Sequence, residues 1–197
     1  MVRAADAIRA AATRYLRHFE RGATGLIETY RHDDADCILI TLGSVAGTVR
    51  AAVDALRAQG HRVGMVRLRY LRPFPVEELA TALFARTRTA PVRAIGVLEK
   101  DISFGHQGSV SLEVKSALYE HASQRGAACV PVINFIAGLG GQDVGVHHVE
   151  AFFADLAERA NHPESVGRHL RAPGATDVRF AGMESFLEEN QHQDTTR

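Results

Sequence analysis

The sequence predicts a three-layer α/β/α domain built on a mostly parallel sheet, and three observations carry that prediction. Short apolar runs such as Cys37 to Leu42, too short for helices, alternate with segments of helical periodicity. Glycine and proline punctuate the boundaries between them. The apolar runs are continuous rather than alternating, as in strands covered on both faces by helices.

Each element follows in order. Ala5, Ile8, Ala12, Tyr15, Leu16 and Phe19 recur at helical spacing, which predicts an amphipathic helix over Ala4–Phe19 that Gly22 ends. Gly25 to Tyr30 reads as a short strand, and Arg31 to Asp36 as a charged turn. Cys37–Leu42 is a buried strand, followed by a helix from Val45 to Gln59 that Gly60 ends. Val49, Val53 and Leu56 form the core-facing stripe of that helix. Val63–Leu68 is the next strand; it runs into Arg72-Pro73-Phe74-Pro75, where Pro75 is pre-organised for the first turn of a helix over Val76–Phe84. Val92–Glu99 is a strand, Ser109 or Ser111 to His121 a helix, and Ala128–Phe135 a strand whose Pro131 suits a sheet edge. Val146–Ala160 is the closing helix. The organisation is a connector over residues 1–24, a domain over 25–160 and a tail over 161–197. Within that tail a short helix is expected near Met183–Glu189, with disorder from Gln191 to Arg197.

Composition narrows the function classes. The 197 residues suit one ordinary domain with appendages. With 23 basic and 23 acidic side chains, no net field favours nucleic acid or an anionic membrane. No apolar stretch has the length of a membrane span, so a cytoplasmic location is the expectation. Cys37 and Cys129 each sit in an apolar run and read as reduced core thiols. Two cysteines fall short of the sets that hold iron–sulfur clusters.

Several residues invite a chemical reading. Gly43 and Ser44 lie between strand and helix, where backbone N–H groups can receive an anion; alternatively Gly43 makes the turn and Ser44 caps the helix. The spacing is neither a dinucleotide fingerprint nor a P-loop. Arg67, Arg69 and Arg72 stand at the carboxyl end of a parallel strand, the edge where open α/β sheets bind ligands, and guanidinium forks suit phosphate and carboxylate. They could instead pair with Glu77, Glu78 or a partner subunit. Gly43, Ser44, Arg67 and Arg69 are therefore the candidate cofactor-binding residues. Asp101, Ser103, Phe104, Gly105 and His106 leave a strand at the same edge, without spacing that orients His106 against Asp101. Gly138, Gly140 and Gly141, with Asp143, form a glycine-dense loop suited to close backbone approach. His147 and His148 point about 100° apart on a helix and lack a third ligand, which argues against a metal. No catalytic residue is assigned.

Four motifs occur together: Leu42-Gly43-Ser44, Arg67 to Pro75, Glu99 to Gly105, and Gly138 to Asp143. Read in that order, and from about Tyr30 to about Phe153, the chain resembles the C-terminal half of the alpha subunit of 2-oxoacid:ferredoxin oxidoreductases. The resemblance implies a transketolase-C-terminal-like domain, domain II of that subunit, with a five-stranded sheet in which Gly25–Tyr30 is antiparallel to the rest. It implies a structural and interface role, with Arg72, Phe74, Asp101, Ser103, Phe104, Gly105, Gly138, Gly140, Gly141 and Asp143 facing partners. Those partners would be a thiamine-binding alpha-type N-terminal domain and a beta subunit, carrying thiamine diphosphate, magnesium and iron–sulfur clusters. This chain alone is expected to bind no cofactor, although coenzyme A could reach it. The holoenzyme would convert a 2-oxo acid and coenzyme A into acyl-CoA and carbon dioxide, reducing ferredoxin or flavodoxin. The alternative expectation is an independent module that binds a phosphorylated ligand such as coenzyme A or a nucleotide.

Overall fold

The computed structural model describes residues 2–21, 25–103, 106–125, 130–162 and 178–181. Among them the elements run α1 (Val2–Phe19), β1 (Ile27–Tyr30), β2 (Cys37–Leu42), α2 (Ala46–Ala58), β3 (Val63–Leu68), α3 (Val76–Phe84), β4 (Ala94–Glu99), α4 (Ser109–Arg125), β5 (Val132–Ala137), α5 (Val146–Asn161) and β6 (Val178–Ala181). The strands form one sheet in the order β1-β3-β2-β4-β5-β6. Strand β1 pairs antiparallel with β3, placing Glu28 opposite Arg67, and every other pairing is parallel. The mostly parallel sheet with β1 reversed is the one the resemblance implies.

Successive residues of the central strands point to opposite faces, so continuous apolar runs fill two cores at once. Leu39, Met65 and Phe135 meet Val49 and Val53 of α2 and Phe152 and Leu156 of α5 on one face. The Phe135 and Phe152 rings stack there with centroids 4.5 Å apart. Ile38, Ile40, Val66, Ile95 and Val97 meet Leu79 and Leu83 of α3 and Val110 and Val114 of α4 on the other. The helix α1 is peripheral: its residues 3–19 are exposed or half-buried. Arg9 ties it to α3 by donating from Nε and Nη2 to Glu78 Oε1, at 3.0 and 2.5 Å.

Several expectations are corrected. The sheet has six strands, not five, because Val178–Ala181 from the segment read as a tail pairs with β5. That pairing makes β5 an interior strand rather than an edge. Pro131 is tolerated because it precedes the ladder, and its carbonyl accepts from Ile95 N–H at 2.9 Å. Helix α4 continues past His121 to Arg125. Ser44 does not cap α2: it lies in a 3-10 turn over Gly43–Val45, Val45 occupies the N-cap position, and no side chain caps there. Gly43 does make the turn, at φ +81°, and Gly60 follows α2 at φ +88°. The expected stop at Gly22, the strand start at Ala128, and the helix and disorder expected beyond Ala181 lie outside the described residues, as does Cys129.

Two glycines separate packing from propensity. A Cβ on Gly96 of β4 would stand 2.6 Å from Leu39 Cδ1 and 2.9 Å from Phe135 Cε2, whereas a Cβ on Gly47 of α2 would meet nothing within 4 Å. Gly96→Ala is expected to destabilise the fold by about 1–3 kcal/mol through overpacking. Gly47→Ala is expected to stabilise it by about 0.5 kcal/mol through helix propensity. Urea unfolding midpoints of the two variants check both signs.

Candidate functional site at the carboxyl edge of the sheet

The loops that follow β2, β3, β4 and β5 gather at one edge of the sheet, because parallel strands all end on the same side. At its centre stands Glu99, the last residue of β4, only 4% exposed. Its carboxylate occupies the start of α4. Val110 N–H donates to Oε2 at 2.7 Å, and Ser111 N–H donates to Oε1 at 3.1 Å. Asn134 of β5 donates from Nδ2 to Glu99 Oε1 at 2.7 Å, while its Oδ1 accepts from Gly108 N–H at 2.8 Å. Gly108 is required by this packing, since a Cβ there would collide with the Glu99 carboxylate. Asp101 adds a second acceptor, taking Ser109 Oγ–H at 2.7 Å. Desolvation, reinforced by Asp101, outweighs the helix N–H groups and lifts the Glu99 pKa to about 7.

Beside this network lies a recess of about 320 Å³, lined by Leu42, Gly43, Arg67, Leu68, Arg69 and Tyr70. Three of the four residues singled out for ligand binding, Gly43, Arg67 and Arg69, thus come together, and Ser44 is not among the lining. Arg67 does not pair with Glu77 or Glu78: its Nη1 reaches Glu28 Oε2 on β1 at a long 3.5 Å. Arg50 holds the same Glu28 from the other side. The Nε of Arg67 is buried and has no hydrogen-bond partner. Arg69 donates from Nη1 to Gly25 O at 3.1 Å, and its guanidinium carbon stands 5.9 Å from the centroid of the Tyr70 ring. Arg72 turns elsewhere, to Glu113 of α4 at 2.5 Å.

The glycine-dense loop after β5 has positive φ at Gly138, Gly140 and Gly141, which side chains resist. A Cβ on Gly138 would stand 2.9 Å from Lys100 Cε, so the loops after β4 and β5 touch. Asp143 is exposed. Phe74 is half-buried against the core formed with α3 and α4. Ser103 N–H donates to Gln107 O at 3.2 Å, and His106 Nδ1 accepts from Gln107 N–H. Phe104 and Gly105 lie outside the described residues. His148 Nδ1 accepts from Gly145 N–H at 3.0 Å. Among the described residues no group of three His, Cys, Asp or Glu side chains is placed to hold a metal ion. Cys37 is buried, and burial pushes its thiol up to about 11, so it is a neutral core side chain.

The architecture is that of a mixed α/β domain whose mostly parallel sheet presents a polar carboxyl edge. The profile described as pyruvate:ferredoxin oxidoreductase core domain II matches residues 35–149, and the chain belongs to that family. The ketoisovalerate oxidoreductase subunit VorA of Pyrococcus furiosus is 39% identical over 137 residues, covering 69% of this chain and 32% of that subunit. The pyruvate synthase subunit PorA of Methanothermobacter thermautotrophicus is 36% identical over 140 residues, covering 71% of this chain and 32% of that subunit. The chain therefore spans about a third of the length of these relatives. A solved 2-oxoglutarate:ferredoxin oxidoreductase from Magnetococcus marinus, with 2-oxoglutarate, coenzyme A and succinyl-CoA bound, aligns at 21% identity and a TM-score of 0.48, over 72% of this chain and 21% of its own.

Sequence reasoning missed the Glu99–Asn134 pair. Its signal was present: one carboxylate closing an otherwise apolar strand, and one amide inside another, each needing a buried partner. Because the native state holds the Glu99 proton to higher pH than an unfolded chain does, the stability this group contributes is full below about pH 4.5 and is lost as the pH rises through about 7. The loss is on the order of 3 kcal/mol. Denaturant unfolding at a series of pH values should show this decline in the native chain, and Glu99→Gln should flatten it.

Proposed function

We propose that this chain supplies domain II to a thiamine-dependent 2-oxoacid:ferredoxin oxidoreductase. It would buttress a thiamine-binding alpha-type domain and a beta subunit rather than carry out the chemistry. The observation that carries this reading is the 39% identity over 137 residues with an oxidoreductase subunit. The assembly would oxidatively decarboxylate a 2-oxo acid to its acyl-CoA and pass the electrons to ferredoxin or flavodoxin. Thiamine diphosphate, magnesium and iron–sulfur clusters would reside on the partners, and division of labour of this kind is common, since the cofactor supplies the carbanion chemistry and the protein orients it. The connector would fall at residues 1–24 and the domain at 25–160 with β6, Val178–Ala181, added to its sheet from the 161–197 segment. Arg72, Phe74, Asp101, Ser103, Phe104, Gly105, Gly138, Gly140, Gly141 and Asp143 would form the docking edge, with coenzyme A passing nearby. No described helix is long and apolar enough to cross a membrane. The reading takes the assembly to work in the cytoplasm.

Affinity capture of the tagged chain from its native cells, with the retained proteins identified by mass spectrometry, should recover thiamine-domain and beta-type subunits. The recovered assembly should reduce a viologen dye in a manner dependent on 2-oxo acid and coenzyme A. Equal turnover by the partners without this chain would overturn the reading. Because Asp143 is exposed, Asp143→Arg should lower partner retention roughly tenfold while leaving the melting temperature of the isolated chain unchanged.

A further inference from the structure

We propose that the recess beside the end of β3 is a binding site for a phosphate monoester, with Arg67 and Arg69 holding the phosphate and Tyr70 flanking the group esterified to it. The inference is argued from this chain's own residues and does not depend on the oxidoreductase reading.

Arg67 leaves β3 on the side that carries α2, and Arg69 follows just beyond the strand's end, its guanidinium held by Gly25 O. The recess between them and the β2 turn has a volume of about 320 Å³, within the range of small-ligand pockets. Its apolar lining comes from Leu42 and Leu68, and Gly43 passes its rim at φ +81°. The electrostatics favour an incoming anion. Glu28 is shared between Arg50 and Arg67, and its distance to Arg67 is 3.5 Å, longer than a strong charge-assisted bond. The Arg67 Nε, buried and without a partner, still has a hydrogen bond to give. Arg69 is oriented by Gly25 O and lies near the Tyr70 ring, so its position is set before a ligand arrives.

The geometry selects phosphate over carboxylate. A carboxylate offers two oxygens and saturates one guanidinium fork, whereas a phosphate monoester offers three and can engage two forks at once. The Tyr70 ring then lies where an aromatic base or another planar group attached to the phosphate would stack. The chemical class is a phosphate monoester of nucleoside-monophosphate size or smaller.

The test is a titration of the full-length 15N-labelled chain, at low ionic strength, with adenosine monophosphate, inorganic phosphate and acetate in turn. Saturable shifts are expected at the amides of Gly43, Arg67, Arg69 and Tyr70, with adenosine monophosphate tightest, phosphate weaker and acetate weakest. Arg67→Gln should weaken adenosine monophosphate binding by at least about tenfold, equivalent to about 1.4 kcal/mol. Arg3→Gln on α1, an exposed position far from the recess, removes the same charge and should leave the affinity unchanged; the amide spectrum of each variant reports directly that it is folded. Binding of phosphate and adenosine monophosphate with equal affinity would retain the phosphate site and remove the stacking role of Tyr70. The proposal is overturned by absence of saturable shifts at these amides, by acetate binding as tightly as phosphate, or by equal weakening from Arg3→Gln.

Discussion

Burial of β2 and β4 on both faces is the constraint from which the rest of the structure follows. Neither strand has a solvated side, so each is apolar apart from Thr41, whose hydroxyl donates to Leu98 O, and the terminal Glu99, and each is flanked by helices above and below. That requirement places α2 and α5 on one face and α3 and α4 on the other. It also explains Gly96, where the sheet leaves no room for a side chain between Leu39, Phe135 and Leu156. The carboxyl end of β4 carries Glu99, the one buried carboxylate at the sheet's centre among the described residues, because α4 and Asn134 of β5 supply its donors.

The same constraint organises the edge where ligands and partners would meet the chain. Four connections emerge side by side, and each is held from below: Gly43 by its turn geometry, the segment after β3 by Arg72 to Glu113, the β4 loop by Asp101 to Ser109, and the β5 loop by Gly138 against Lys100. Rigid strand ends thus present a surface whose chemistry varies along the sheet. It is cationic near β3, carboxylate-rich near β4, and largely bare backbone after β5. Such a gradient lets one domain serve several contacts without a change of fold.

Legibility in the sequence tracked locality. Strands β2, β3 and β4 and helices α2, α3 and α5 were readable because apolar runs and periodic stripes are local signals, and their ends were marked by Gly43, Gly60 and Pro75. The reversal of β1 came from resemblance, since no local pattern states the direction of a strand. The pairing of Arg67 with Glu28 was unreadable for the same reason: the two residues are brought opposite by register, not by spacing. Strand β6 was missed because four residues of mixed polarity, half-buried at best, carry too weak an alternation to stand out. The recess was half legible, as its arginines were conspicuous whereas the Tyr70 ring and the unpaired Arg67 Nε emerged only in three dimensions.

Both outermost strands, β1 and β6, are only four residues long. An unpaired strand margin is a template on which a second chain can extend the sheet, and brevity limits how many rungs such an intruder can make. At one margin β6 covers most of β5, a six-residue strand rich in Val, Ile and Phe that would otherwise be the stickiest border of the molecule. Arg179 on β6, reaching towards Asp155 at 3.6 Å, adds charge to that border. The late segment that supplies β6 therefore replaces a six-residue apolar border with a four-residue one.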